Sequence, residues 1–337
     1  MECQDTKRTK AVIYDFYHRG DDTFYYRLLS LLEKKIPAQI LEINRIRNDV
    51  YLVKTKQFWI ILKGYNSYQK LIIQETFTRA IKLEGFKQTY QFYVFDEEPL
   101  IIDKKVYGMI EYISPHKDSF TYNSKWNRRE ALQLLEQYYS VTERLVEIYK
   151  YILPAFDLMK KLEQRLEEFR MNRPIIERFL KKETVEEIIE WADTSFHYVK
   201  KNQDYLNTQS NVILHGDVAH HNFMRDIKNQ LYLIDFDLIS IGPRVGDYLQ
   251  FANRILPNIG WSMQQLQKMQ GYDHYFKDDW FLMALMYPTD ILREWNRLIR
   301  NKKDKNAVLL EQVYFLTTDQ YQKRKKFYRK LRQIVGI

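Results

Sequence analysis

The chain has 337 residues, with 53 basic against 44 acidic side chains and a formal net charge of +9. That length permits a large core and suggests two domains, while the single cysteine, Cys3, excludes an intramolecular disulfide framework and a cysteine-built zinc site and fits a reducing compartment. No apolar run approaches the roughly 18 residues a membrane helix needs, and the polar start MECQDTKRTK is no secretory signal, so a soluble intracellular protein is expected.

From about Gln39 to Ile113 the sequence reads as short strands interrupted by one helix. QILEINRIR, DVYLVKTK and FWIILKGY carry β-branched and aromatic residues in partial alternation, separated by polar turns at Asn48-Asp49 and Lys56-Gln57, and predict consecutive antiparallel strands. SYQKLIIQETFTRAIKLEGF predicts an amphipathic helix with Leu71, Glu75, Thr78 and Lys82 on one side, stopped at Gly85. TYQFYVF and VYGMIEYI add two strands around a turn at Asp96 to Pro99. The expected unit, residues 1–113, is a five-stranded antiparallel sheet with a helix after the third strand.

Residues 114–337 read as mainly helical. Ala131, Leu134, Leu135, Tyr138, Val141, Leu145 and Ile148 recur at helical spacing. Pro174 suits the first turn of a further helix bearing Ile175, Ile176, Phe179, Leu180, Val185, Ile188 and Ile189. LYLIDFD is a short strand, and helices resume from about residue 244 to residue 335.

Between these helices lies VILHGDVAHHN, residues 212–222. Moving a phosphoryl group needs a carboxylate for the attacking hydroxyl, oxygen ligands for magnesium and a cation on the nucleotide phosphates. Asp217 can orient the hydroxyl and take its proton, Asn222 can offer an amide oxygen to Mg2+, and Asp235 can supply the carboxylate between metal and phosphates. Lys63, closing the third strand, suits a phosphate-binding lysine, and Glu75 on the following helix could pair with it.

HGD at 215–217, Asn222, LIDFD at 233–237 and VGDYL at 245–249 resemble the aminoglycoside phosphotransferase and choline kinase superfamily, over roughly residues 38–335. Within it, VILHGD, LYLIDFD and the tyrosine- and lysine-rich body are most similar to the spore-coat CotS group of endospore-forming bacteria. The resemblance implies an α+β, bilobal, protein-kinase-like fold with ATP and Mg2+ in the cleft, and a hinge, MIEYIS, whose backbone near Glu111 and Ile113 meets the adenine. It implies that His215 supports the loop and that Asp247 is a buried aspartate bonded to it, while Asp237 is either a second metal or water contact or a turn residue. His220 and His221 read as solvent-facing or capping rather than metal-binding. One departure stands out. No glycine occurs between Gly20 and Gly64, so the first two strands lack a glycine-rich lid over phosphates.

The expected function is an ATP-dependent phosphotransferase acting on a hydroxyl-bearing small molecule, in the mother-cell cytoplasm or the spore coat. The alternative is a catalytically inactive, kinase-shaped structural component that partners spore-coat proteins. A decayed enzyme should have lost Asp217, Asn222 or Asp235, and none is lost. Nucleic-acid binding is disfavoured because no recognised motif accompanies the charge. YDHYFKDDWF, residues 272–281, mixes acids with aromatics and could hold a cationic amine, or be a solvated loop with core aromatics, the preferred reading. KRKKFYRKLR, residues 323–332, reads as a solvated helix face or an anion-docking tail.

Overall fold

The computed structural model describes residues 22–94 and 98–337, so Cys3, the N-terminal decapeptide and the centre of the turn around Asp96 lie outside the described residues. The chain divides into two compact units, one of residues 1–117 with 225–234, the other of residues 118–224 with 235–337.

Among the described residues the first element of the first unit is α1 (Asp22–Lys35), which has no counterpart in the sequence reading. Its Leu28 and Leu32 recur at i, i+4 and pack, with Ile36, against Val53, Ile60 and Leu62. Next come β1 (Ile40–Arg47), β2 (Val50–Thr55), β3 (Trp59–Tyr65), α2 (Tyr68–Leu83), β4 (Phe92–Tyr93), β5 (Leu100–Ile102) and β6 (Lys105–Glu111). The sheet runs β1-β2-β3-β6-β4, with β5 on β6, and its described pairings are all antiparallel. This is the expected sheet with a sixth short strand; TYQFYVF contributes only the two residues of β4.

The turn between β1 and β2 is tight, with Asp49 at φ 58°. Aspartate tolerates the left-handed region better than most residues, so this hairpin closes without glycine. On β3, Ile60 and Leu62 belong to the core shared with α1, while Tyr65 belongs to a separate cluster with Leu71 of α2 and Val106. Strand alternation therefore directs Lys63, two residues from Tyr65, to the α2 side.

The second unit contains α3 (Lys125–Tyr149), α4 (Leu158–Ile176), α5 (Lys182–Lys201), then β7 (Asn211–Leu214) paired antiparallel with β10 (Ser240–Pro243). In the chain between β7 and β10 comes the hairpin of β8 (Phe223–Arg225) and β9 (Leu231–Leu233), most of which belongs to the first unit. The remainder is α6 (Val245–Ile255), α7 (Met263–Gln267), α8 (Asp279–Met286), α9 (Thr289–Arg300), α10 (Ala307–Thr318) and α11 (Tyr321–Val335).

Pro174 does not start a helix; it sits near the end of α4, with Ile175 and Ile176 closing that helix, Phe179 and Leu180 in the turn after it, and Val185, Ile188 and Ile189 on α5. The buried stripe Leu158, Leu162, Leu166 and Phe169 already carries the helix toward Ile176, so the stripe prevails over the proline's preference for a first turn. The basic C-terminal segment is likewise more than a solvated face. Arg324, Phe327, Tyr328 and Leu331 form the buried side of α11, and Arg324 makes a bidentate pair with Asp290 of α9 at 2.8 and 2.7 Å.

Candidate active site

β7 is buried, and the chain leaves it through His215, Gly216 and Asp217. The turn is held from below by Asp247 in the first turn of α6. One Asp247 oxygen accepts the His215 amide at 2.7 Å and the Tyr139 hydroxyl at 3.1 Å, and the other accepts the Gly216 amide at 3.1 Å. Burial pushes the Asp247 carboxyl above its ordinary range, against the pull of His215, both amides and Tyr139.

Gly216 adopts φ +79°, and a Cβ there would fall 2.2 Å from the carbonyl oxygen of Leu238. Only glycine fits that approach. The Asp217 amide donates to Nδ1 of His215 at 3.3 Å, which makes that nitrogen an acceptor and His215, fully buried, a brace behind the loop.

Residue 250 completes the brace: Oε1 of Gln250 accepts the Val218 amide at 2.6 Å, and its Nε2 donates to the Gly216 carbonyl at 2.9 Å. The Tyr122 hydroxyl donates to the Val218 carbonyl at 2.8 Å. Asn222 is buried, and its Nδ2 donates to the Asp217 carbonyl at 2.8 Å, which leaves Oδ1 to face another partner.

The Asp217 carboxylate is itself oriented. Oδ1 meets Nη2 of Arg254 at 3.1 Å, and Oδ2 lies 3.9 Å from Nε2 of His221. Burial and the charge of Arg293 pull the Arg254 guanidinium down, and Asp217 pulls it back. Burial also lowers His220, with His221 and Arg254 adding to the effect.

Asp235 follows β9, and the β8–β9 hairpin carries the chain to it from Asn222. Its φ of 70° is rare for a residue with a side chain and marks a position held by its surroundings. Asp237 is exposed on the same loop. Among the described residues no group of three or more His, Cys, Asp or Glu gathers as a metal cage. The Asn222 amide oxygen and the Asp235 carboxylate are hard oxygen donors, of the kind that would suit Mg2+ completed by phosphates and water.

In the first unit Lys63 is buried, with Nζ 5.5 Å from the centre of the Tyr65 ring. Glu75 is not its ion-pair partner. Burial raises the Glu75 carboxyl, and the charge that opposes this is Arg79. The reason is the phase of α2, whose buried stripe is Leu71, Gln74, Phe77, Thr78 and Ile81, so Gln74 is the polar residue turned inward and Glu75 lies on the flank. Glu111 ends β6; its carboxylate accepts the Gln91 amide at 3.2 Å and pairs with Lys82 at 3.5 Å, and its own amide donates to the Gln91 carbonyl at 2.9 Å. Ile113 follows in the extended segment after β6.

The segment 272–281 does not form a cation cage. Tyr272, Tyr275 and Trp280 are buried in the core, where Tyr275 stacks on Phe281 and Trp280 on Tyr205.

Gln250 and Arg254 escaped the sequence reading although a signal existed. They follow Asp247 by three and seven residues, one stripe of α6 facing the loop. Tyr122 had no comparable signal.

The model of the phosphotransferase enzyme family matches residues 113–285, just over half of the chain. The chain belongs to that family. An aminoglycoside phosphotransferase from Alicyclobacillus acidocaldarius is 16% identical with a TM-score of 0.68, covering 95% of this chain and 99% of that one. The spectinomycin phosphotransferase APH(9)-Ia, solved with ADP and spectinomycin, is 16% identical with a TM-score of 0.60, covering 92% and 97%. APH(2")-IIIa, solved with GDP and kanamycin, is 12% identical with a TM-score of 0.60, covering 89% and 99%. At these identities the likeness establishes the shared kinase-like fold. No curated protein sequence matches this phosphotransferase family member.

Proposed function

We propose that the protein transfers the γ-phosphoryl group of ATP to a hydroxyl of a small molecule. The observation that carries this is the loop after β7: Asp247, Gln250 and Tyr122 hold its backbone, while the Asp217 carboxylate is aimed by Arg254 and exposed enough to meet a substrate. Asp217 accepts a hydrogen bond from the acceptor hydroxyl, orients its oxygen toward phosphorus and takes its proton as the new P–O bond forms. The bond to the β-phosphate oxygen breaks, and ADP leaves with that electron pair. Arg254, on Oδ1, leaves Oδ2 for the hydroxyl.

Asn222 and Asp235 are the residues that would hold magnesium, which supplies positive charge against the phosphate oxygens. Lys63 would add a cation for the phosphates. Because the Glu111 amide is already bonded to Gln91, adenine contacts at the end of β6 fall to carbonyl groups and to the backbone at Ile113. Spore-coat association belongs to the same proposal and rests on the resemblance of VILHGD and LYLIDFD to the CotS group.

Calorimetric titration with ATP, with and without Mg2+, tests the reading. Binding should require Mg2+ and weaken at least about tenfold in Asp235→Ala, a difference of roughly 1.4 kcal/mol. Asp217→Asn should bind nucleotide but lose about 10²-fold or more in turnover. Parent protein that binds no nucleotide would refute the proposal, and unchanged turnover in Asp217→Asn would remove Asp217 as the base.

A further inference from the structure

We propose that a cavity at the N-terminal end of α3 binds a small anionic molecule carrying phosphate or carboxylate groups. The cavity measures about 450 Å3, within the size class of small-molecule sites. Lys125, Arg128 and Arg129 of α3 and Lys268 beyond α7 line it, Gln265 and Gln270 add amide donors, and among the described residues no acidic side chain lines it.

Exposed lysines and arginines need no partner, since water solvates them. Arg128 is different: it is only 7% exposed, and its Nη1 donates to the carbonyls of Tyr122 at 2.6 Å and Asn123 at 2.8 Å. Carbonyl dipoles satisfy protons but leave the charge uncompensated. Burial pulls this guanidinium below its ordinary value and no charged neighbour offsets the pull, yet an arginine stays protonated. A buried cation without a carboxylate is an expensive arrangement.

The position compounds the cost. The first turn of a helix is the positive end of its dipole, where acidic groups are favoured; α3 has no acid there and begins with Lys125. An anion in the cavity would answer the buried guanidinium, the three exposed cations and the helix end together.

The cavity is one side chain away from the catalytic loop, because Tyr122 accepts from Arg128 through its carbonyl and donates through its hydroxyl to Val218, next to Asp217. The anionic group could therefore belong to the phosphoryl acceptor or to a separate effector. Binding itself is independent of the phosphoryl-transfer reading.

The test is calorimetric titration of the full chain with inorganic pyrophosphate, without divalent metal. Arg129 and Lys268 are exposed, so the R129E/K268E double variant should fold, which thermal unfolding checks. The parent should bind, R129E/K268E should bind at least about tenfold more weakly, and K303E/K305E, an equal charge change at other exposed positions, should match the parent. No binding by the parent at millimolar pyrophosphate, or equal weakening in both double variants, overturns the proposal. With MgATP, ADP release stimulated by a phosphorylated sugar but not by its neutral parent, and lost in R129E/K268E, identifies the acceptor. Pyrophosphate binding without such stimulation identifies a separate effector.

Discussion

Replacing Gly216 by alanine isolates what the catalytic loop demands of its backbone. Two costs add. The left-handed conformation costs a residue with a Cβ about 1–2 kcal/mol. The Cβ would also stand 2.2 Å from the Leu238 carbonyl oxygen, a backbone atom that cannot rotate away, so the loop must move by most of an ångström. Such a shift breaks the Gly216 amide's bond to Asp247, now 3.1 Å, and a hydrogen bond to a charged group contributes about 1.5–3 kcal/mol. The expected loss is roughly 3–5 kcal/mol, or a fall in Tm on the order of 10 °C at about 2–4 °C per kcal/mol for larger domains. Gly260→Ala is the control: φ is +58°, but nothing lies within 4 Å of its Cβ, so only the conformational cost of about 1 kcal/mol applies. Differential scanning calorimetry of both variants reads the difference. Equal Tm losses would mean that Leu238 yields freely and that the close approach does not fix the loop.

Gln250→Ala removes the clamp on Val218 and Gly216 without touching substrate; stability should fall by about 1–2 kcal/mol and phosphoryl transfer by about tenfold or more, measured by coupled ADP release with thermal unfolding alongside. Glu75→Gln should leave nucleotide affinity unchanged in calorimetry while Lys63→Met weakens it, because Arg79 rather than Lys63 acts on Glu75; equal losses would restore a functional link between the two. Burial favours a protonated Asp290, but the bidentate Arg324 overrides it and holds the carboxyl below its ordinary 3.8. Its stabilisation is therefore present above that value and disappears as pH falls through the lower folded value. Asp290→Asn should lose about 3–5 kcal/mol at neutral pH and show a shallower acid decline than the parent in denaturant melts, with the two curves converging below pH 4; parallel curves would refute the pairing.

The loop was legible because its chemistry is compressed into a few adjacent residues: His215, Asp217 and Asn222 sit within one turn region, and Asp235 ends a short strand. The strands β1 to β3 were legible because alternation survives within each. What failed did so for identifiable reasons. The Glu75 pairing depended on helix phase, and a shift of one residue exchanges Glu75 for Gln74. Pro174 signalled a local start, whereas the stripe from Leu158 to Phe169 had already set the helix. Arg324 looked like one more solvated cation because its partner Asp290 lies 34 residues away, a separation that no local pattern encodes.

That separation also bears on synthesis. The α9 segment leaves the ribosome before Arg324 does, carrying a carboxylate that ends mostly buried against that arginine. Until α11 follows, Asp290 has either to stay in water or to hold a proton, and both keep α9 from settling. The Trp261 ring, over which the Arg324 guanidinium sits at 4.0 Å, waits for the same residue. Nascent chains arrested before residue 324 should therefore be cut by proteases more readily than chains arrested after residue 331, since only the latter can form the Arg324–Asp290 pair.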